Sequence, residues 1–482
     1  MKIKVYGLGT LIPFVLCVFA TAFVGFSNVP NRGLSCLFLL PLTFSITILL
    51  FSKEYAYRKE SFGLTILYLS AIVRYIVTPV LIVLSQATVT TISAGEWDYA
   101  YAIFVEIFEL IVVMFAVKYI WPKHLRAKEK IKLKSKYDPE KTTFRLTWTG
   151  FAFAMMLVAL IVLRGHWNNI VSHLSTWFRR VDNREVVYNY DMMAFNIVKT
   201  VAFLIVVSAM KWIYNRTTLK TLPVMIALAA GLLNTMFFEF RERTDLAVLA
   251  IASFFVLSHA FPRSKKLFKT IFGVGGVVAV AVVFLEGTFQ YEVGTSVSTI
   301  AVSNYAKLAE LYTTGPTILA NAHKNFASVR SQVNFMTYAK DLVLSCDLFG
   351  TVPFLRFIYN AVSAGKGTVE LYVASIGGRA YIIPNHSLAA LYVGDVLCWI
   401  LEPIFIILNI KLLGWFERCM YRINDLLQVY AIFSIVTMVA MGIFCNNFQL
   451  MLHSFSSLPL WLLIFSYINN LGNKIKILKS HY

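Results

Sequence analysis

Apolar residues in this chain fall in long, nearly unbroken blocks, and short basic stretches separate the blocks. An α-helix needs about 20 mostly apolar residues to cross the hydrocarbon core of a bilayer. Twelve stretches qualify, at about 7–27, 35–51, 63–85, 99–121, 146–163, 192–214, 222–240, 244–261, 270–286, 385–409, 427–444 and 453–470. The pattern predicts an all-α polytopic membrane protein. Residues 1–286 carry helices one to nine, 287–384 form one long external loop, and 385–482 carry the last three helices and a tail.

A loop of nearly a hundred residues is too long for a bare connector. Its 298–312 stretch places Ile300, Tyr305, Leu308 and Tyr312 at helical spacing, and Gly315-Pro316 then stops the pattern. Val329, Val333, Met336 and Leu342 repeat it over 327–345, and 354–362 is a third apolar patch. These predict short amphipathic helices lying on, or dipping into, the outer face of the bundle.

Composition narrows the class. Of 482 residues, 58% are hydrophobic and 14% charged, against about 25% charged in soluble domains. That excludes a soluble enzyme, a secreted disulfide scaffold and a disordered chain. Six cysteines include no CxxC pair, so neither a metal site nor a disulfide framework is expected. The first block follows Lys2 and Lys4 and contains Ala20-Thr21-Ala22, like a cleavable signal peptide. It continues apolar to Phe26 and further blocks follow, so it reads as an uncleaved first span.

The net charge of +19 has a topological origin. With the N-terminus inside, the inside segments hold 26 Lys and Arg and the short outside loops hold 7. This is the positive-inside distribution. It predicts both termini in the cytoplasm and removes the nucleic-acid reading of a basic chain.

Ionisable groups within apolar spans are costly, and are usually paired or functional. Arg74 lies midway along the third block, and Glu106 and Glu109 share one face of the fourth at i,i+3 spacing. Counting from the loop between these blocks puts Arg74 and Glu109 at the same depth. They read as a structural ion pair locking the hairpin, with a proton or ion relay as the alternative. Lys199, in the sixth block, either snorkels outward or serves an anionic ligand.

Chemistry concentrates on the outer side. Arg241-Glu242-Arg243-Thr244-Asp245 sits at the turn between blocks seven and eight. Arginine's planar fork suits phosphate oxygens; the other reading is a solvated turn whose charges pair locally. Gly377-Gly378-Arg379-Ala380-Tyr381 leads through Pro384-Asn385-His386-Ser387 into block ten. His386 at the mouth of a span is either structural or a general base. The loop adds His323, Lys324, Arg330 and Arg356, and 164–191 adds His166, Trp167, His173, Trp177, Arg179, Arg180 and Arg184. The latter line a sugar or phosphate path, or sit among lipid headgroups. There is no P-loop, and Gly273–Gly276 lies within a span, so nucleotide donors are disfavoured.

Arg241-x-Arg243-Thr244-Asp245-Leu246-Ala247-Val248-Leu249-Ala250-Ile251 opening a span resembles a signature of the O-antigen and capsule repeat-unit polymerases, within the O-antigen polymerase/ligase superfamily. Pro384-Asn385-His386-Ser387 followed by Leu391-Tyr392-Val393-Gly394-Asp395 resembles that family's approach to a late span. The arrangement of spans with one late external loop is similar too. The resemblance implies a GT-C-like fold in a bacterial inner membrane. It implies metal-independent, inverting glycosyl transfer between undecaprenyl-diphosphate-linked oligosaccharides, with no cofactor. Arg241, Arg243 and Arg379 would stabilise the leaving diphosphate, and His386 would be the general base. Lys199, Arg330, Arg356, Tyr381, Asn385 and Tyr392 would contact substrate. The lipid bilayer and a chain-length regulator protein are the other partners it allows. A ligase using the same donor, or a flippase for lipid-linked sugars, are the alternatives.

Overall fold

The computed structural model describes residues 8–86, 94–134, 142–163, 189–236, 243–276, 305–307, 309–352, 354–362, 367–375, 383–420, 423, 425–445 and 447–479. No strand occurs among the described residues. Within hydrocarbon each backbone N–H and C=O must be satisfied inside its own segment, and the helix does this.

The principal helices are α1 (Leu8–Phe26), α2 (Leu39–Leu50), α3 (Phe62–Ser85), α4 (Glu96–Lys134), α5 (Trp148–Leu163), α6 (Asn189–Arg216), α7 (Thr221–Met236) and α8 (Arg243–Ala260). They continue as α9 (Pro316–Arg330), α10 (Phe335–Ser345), α11 (Thr368–Ser375), α12 (Asn385–Val393), α13 (Cys398–Cys419), α14 (Leu426–Cys445), α15 (Phe448–Ser456) and α16 (Leu458–Lys479). Among the described residues, seven segments are long and apolar enough to cross a membrane: Arg32–Leu50, Phe62–Ser85, Glu96–Lys130, Met193–Arg216, Cys398–Cys419, Leu426–Cys445 and Phe448–Leu471. Shorter apolar helices fall at Thr10–Phe26, Trp148–Leu163, Thr221–Met236 and Leu246–Ala260. The chain is an all-α membrane protein. Most of the block at 270–286 lies outside the described residues.

The hub is α14, which carries no charge and buries 17 of its 20 residues. Helices α3, α8, α13 and α16 pack around it. Large apolar side chains such as Phe19, Phe104 and Leu160 point outward and stay exposed, as suits lipid-facing surface. Lipid tails remove the hydrophobic drive between helices, so close packing and interhelical hydrogen bonds hold the bundle. Glu417 on α13 accepts from Ser61 Oγ at 2.7 Å and Gly63 N at 2.5 Å at the start of α3. Asn234 Nδ2 on α7 donates to Ser253 Oγ on α8 and Tyr430 Oη on α14, at 3.0 and 3.1 Å. Each such bond contributes about 0.6 kcal/mol.

Helix α3 winds one π-turn over Val73–Val77. Pro79 explains it: proline has no N–H to offer the carbonyl four residues back, and its ring clashes there. The N–H and hydroxyl of Thr78 instead reach Val73 O. Turns of this kind recur at functional sites, and this one carries Arg74.

Two features of the 305–397 region go beyond the sequence pattern. First, a helical stretch before Gly315 and α9 form a hairpin whose tip dips into the bundle. Thr314 O lies 3.5 Å from Arg74 Nη2, and Thr314 Oγ1 reaches Phe444 O at 3.4 Å. Non-helical backbone is tolerated there because protein covers it; Thr313, Thr314, Gly315 and Pro316 are all buried. The rest of the region builds its own small core from Ala322, Val329, Tyr372, Ile383, Leu388 and Leu391.

Second, the predicted single helix over 385–409 is two helices. Gly394 has φ +95°, a conformation that ends α12, and α13 starts at Cys398. Apolar content ran on through 385–409, so the pattern gave no sign of the break. Only glycine enters this region without strain.

Candidate functional site

The break at Gly394 builds the site. In one continuous helix, His386 and Glu402 would lie about 24 Å apart along the axis. With the chain turned at Gly394, His386 Nδ1 is 2.6 Å from Glu402 Oε2, and both side chains are 1% exposed. With Glu402 ionised its oxygen accepts, which puts the proton on Nδ1 and leaves Nε2 as an acceptor. Nε2 faces the Tyr101 hydroxyl at 2.8 Å, with Cys398 Sγ at 3.5 Å. The Trp399 ring closes one side, 4.4 Å from the imidazole centroid. This is the geometry of a base held in one tautomer by an acid behind it.

From His386 a line of polar groups runs in both directions. Toward the 305–375 region, Tyr101 stacks on His323 at 4.0 Å between centroids, and His323 Nδ1 meets Asp98 Oδ1 at 2.7 Å. His323 and Asp98 are partly exposed. Toward the bundle centre, α13 packs on α4, and Glu402 and Glu109 are both buried. Glu109 Oε2 lies 2.7 Å from Arg74 Nη2, and Glu106 Oε1 lies 3.7 Å from Arg74 Nε. The Arg74 guanidinium also donates to Phe444 O at 3.3 Å, and Tyr75 donates to Glu106 O at 2.8 Å. The expected Arg74–Glu109 pair is present, and it is one part of a larger buried cluster.

Of the other residues singled out by sequence, Arg330 packs against the turn at Gly394. It ends α9, lies 3.5 Å from Asp395 Oδ2, and packs over Phe326 and against Gly394. It therefore clasps the break between α12 and α13. Asn385 opens α12, and its Oδ1 accepts from Phe448 N at 2.8 Å, which ties α12 to α15. The Tyr392 hydroxyl donates to Asp341 Oδ2 at 2.5 Å and accepts from Gln449 Nε2 at 2.8 Å. Its ring meets Tyr338 edge-on at 4.8 Å. Burial, and then the Asp341 carboxylate, raise the Tyr392 phenol above its ordinary range. Both hydroxyl partners of Tyr392 are protein groups, so it positions α12 against α10 and α15.

Lys199 is half-buried on α6, which packs on α5 and α7. Arg356 opens the short helix Arg356–Val362 and is exposed. Arg241, Arg379 and Tyr381 lie outside the described residues, as does 164–188. Helix α8 begins at Arg243, whose side chain is likewise outside them.

Sequence reasoning missed Glu402, Tyr101 and Asp98. Glu402 carried a signal, being a lone acid inside an apolar block. Tyr101 and Asp98 carried none, because a tyrosine and an aspartate at the start of a long helix are ordinary. Among the described residues no group of three or more His, Cys, Asp or Glu is placed to hold a metal ion.

Neither a protein-family model, nor a curated protein, nor a solved structure matches the chain.

Proposed function

We propose that this chain is a glycan polymerase. It joins polyprenyl-diphosphate-linked oligosaccharide repeat units on the outer face of a bacterial cytoplasmic membrane, through a GT-C-like bundle of about twelve spans with both termini inside. The observation that carries this reading is the Glu402–His386 pair, with Nε2 turned toward a hydroxyl at 2.8 Å. In the reaction a sugar hydroxyl of the acceptor takes the place of the Tyr101 hydroxyl. His386 Nε2 removes its proton as the oxygen attacks the donor's anomeric carbon. The bond from that carbon to the diphosphate oxygen breaks, and polyprenyl diphosphate leaves with the electron pair. Arg241, Arg243 and Arg379 are the proposed cations for the developing negative charge.

The test is reconstitution. Purified protein in liposomes receives one polyprenyl-diphosphate-linked repeat unit and no other acceptor, and products are resolved on a gel. A ladder of multiples, lost in His386→Ala, is expected. Intact substrate would sink the polymerase reading, and a lipid-core acceptor would then test for a ligase.

A transporter of lipid-linked sugars is the second reading. The buried Arg74–Glu106–Glu109–Glu402 cluster favours it, because proton relays in carriers are built from such groups. A flipping assay with a proton gradient separates it from the first.

A further inference from the structure

At the end of the bundle away from His386 lies a cavity of about 410 Å³. Helix α13 links the two ends. It starts at Cys398, beside the break at Gly394, and Met420, one residue past its other end, lines the cavity. Its 22 residues span about 33 Å. The cavity forms where α3 begins, α8 ends and α14 passes between them. Its wall is aromatic. Phe62 meets Phe255 at 4.8 Å and Phe433 at 5.5 Å between ring centroids, and Phe255 stacks on Phe433 at 3.7 Å. Phe433 is 3% exposed and lies at the floor.

The mouth of the cavity is cationic. Arg58 and Lys59 precede α3 and Lys265 follows α8, against one carboxylate among the described lining residues, Glu60. Lys59, Glu60 and Lys265 are exposed, and the Arg58 guanidinium is held over the Tyr55 ring at 4.4 Å. The hydroxyls of the lining are already engaged. Ser61 Oγ donates to Glu417 Oε1 at 2.7 Å, and Thr65 Oγ1 donates to Arg58 O and Ser61 O, both at 2.8 Å. What the side chains offer a ligand is therefore positive charge at the mouth and apolar contact below it.

Charges and rings are also layered by depth. Arg58, Lys59 and Lys265 lie outside the apolar stretches of α3 and α8, whereas Phe255 and Phe433 lie inside those of α8 and α14. An anionic phospholipid has the same order, with charge at the interface and hydrocarbon beneath it, and basic pockets between spans hold such headgroups. A soluble anion would use the mouth and leave the rings facing water. The volume falls near the lower end of ligand pockets, about 300–1,000 Å³, which suits a headgroup and the start of its chains. We propose that this cavity binds one anionic phospholipid. Arg58, Lys59 and Lys265 hold its phosphate, and the first carbons of its chains lie against Phe62, Phe255 and Phe433. The loop-charge rule places basic residues beside a span, but it requires no aromatic cavity beneath them. The proposal is independent of the polymerase reading.

Native mass spectrometry of the full chain in detergent, titrated with phosphatidylglycerol, reads the first bound lipid. Phosphatidylglycerol should bind more tightly than zwitterionic phosphatidylcholine. Lys59→Gln combined with Lys265→Gln should weaken that first binding by roughly tenfold or more. Arg263→Gln combined with Lys266→Gln removes the same charge from neighbouring positions outside the lining, and should leave the binding unchanged. All four side chains are exposed, so neither pair is expected to disturb the fold. The wild-type comparison of the two lipids stands even if one pair does. Equal binding of the two lipids, or equal loss in the two pairs, overturns the proposal. So does displacement of the lipid by inorganic phosphate at a matching concentration, which would make the occupant a free anion.

Discussion

His386 and Glu402 stand 16 residues apart on two different helices and meet at 2.6 Å. Their contact exists because α12 stops at Gly394 and α13 sets off in a new direction. It is the smallest unit of the site with a chemical consequence, since it decides which imidazole nitrogen is free. On the polymerase reading proposed above, Glu402→Gln is expected to lower polymer formation by about 100-fold or more, comparable to His386→Ala. A glutamine amide can donate to Nδ1 and so favour the wrong tautomer. Initial rates from the liposome ladder check this.

Gly394→Ala should damage fold and site together. A Cβ there would come within 2.9 Å of Arg330 Nη2, and φ of +95° is strained for any L side chain. The conformational part alone is about 1–3 kcal/mol. A lowered thermal midpoint in detergent is the expected readout. An unchanged midpoint would mean that the break relaxes freely.

Arg74→Met should be severely destabilising, by about 3–5 kcal/mol, because it leaves buried carboxylates without their cation. Adding Glu106→Gln to Arg74→Met should recover part of the loss, since Glu106 reaches Arg74 only at 3.7 Å and has no other hydrogen-bond donor among the described residues. Folded yield and thermal unfolding of the single and double variants decide it. A double variant no better than the single would exclude charge imbalance as the cause.

Tyr101→Phe keeps the ring stacked on His323 but removes the hydroxyl at Nε2. Leaving a buried acceptor unsatisfied costs about 1–3 kcal/mol. Thermal unfolding should fall accordingly, and a midpoint equal to wild type would mean another donor reaches Nε2.

Asp425, in the turn between α13 and α14, gives a pH signature. Burial pushes its carboxyl up to about 6, against the opposing hydrogen bond from Leu427 N. A raised folded value means the folded state holds the proton longer than the unfolded chain. The resulting stability is present at low pH and lost as pH rises through about 6. Asp425→Asn should therefore stabilise the protein at pH 8 and have little effect at pH 4. Thermal midpoints at the two values test it, and a larger gain at the lower pH would reverse the assignment.

The membrane class was legible because it depends on quantities that run along the chain. Block length, the scarcity of charge and the Lys/Arg bias need no partner residues to be read. Helix α14 was predicted at 427–444 and spans Leu426–Cys445. The pairing of Arg74 with Glu109 was legible for the same reason, since two adjacent helices joined by one loop set a common depth. His386 was legible as a candidate side chain beside a span.

What the sequence by itself determined is thus an all-α membrane chain, the position of most of its helices, one buried ion pair and one histidine worth testing. Only the tertiary structure decided what that histidine touches. Tyr101 and His386 are 285 residues apart, and Phe444 and Arg74 are 370 apart. Neither contact leaves a mark in local periodicity. The turn at Gly394 was equally hidden, because a glycine within an apolar block reads the same whether the helix passes through it or ends there. One backbone torsion separates a straight span from a folded-back pair of helices, and that torsion is set by what packs around it.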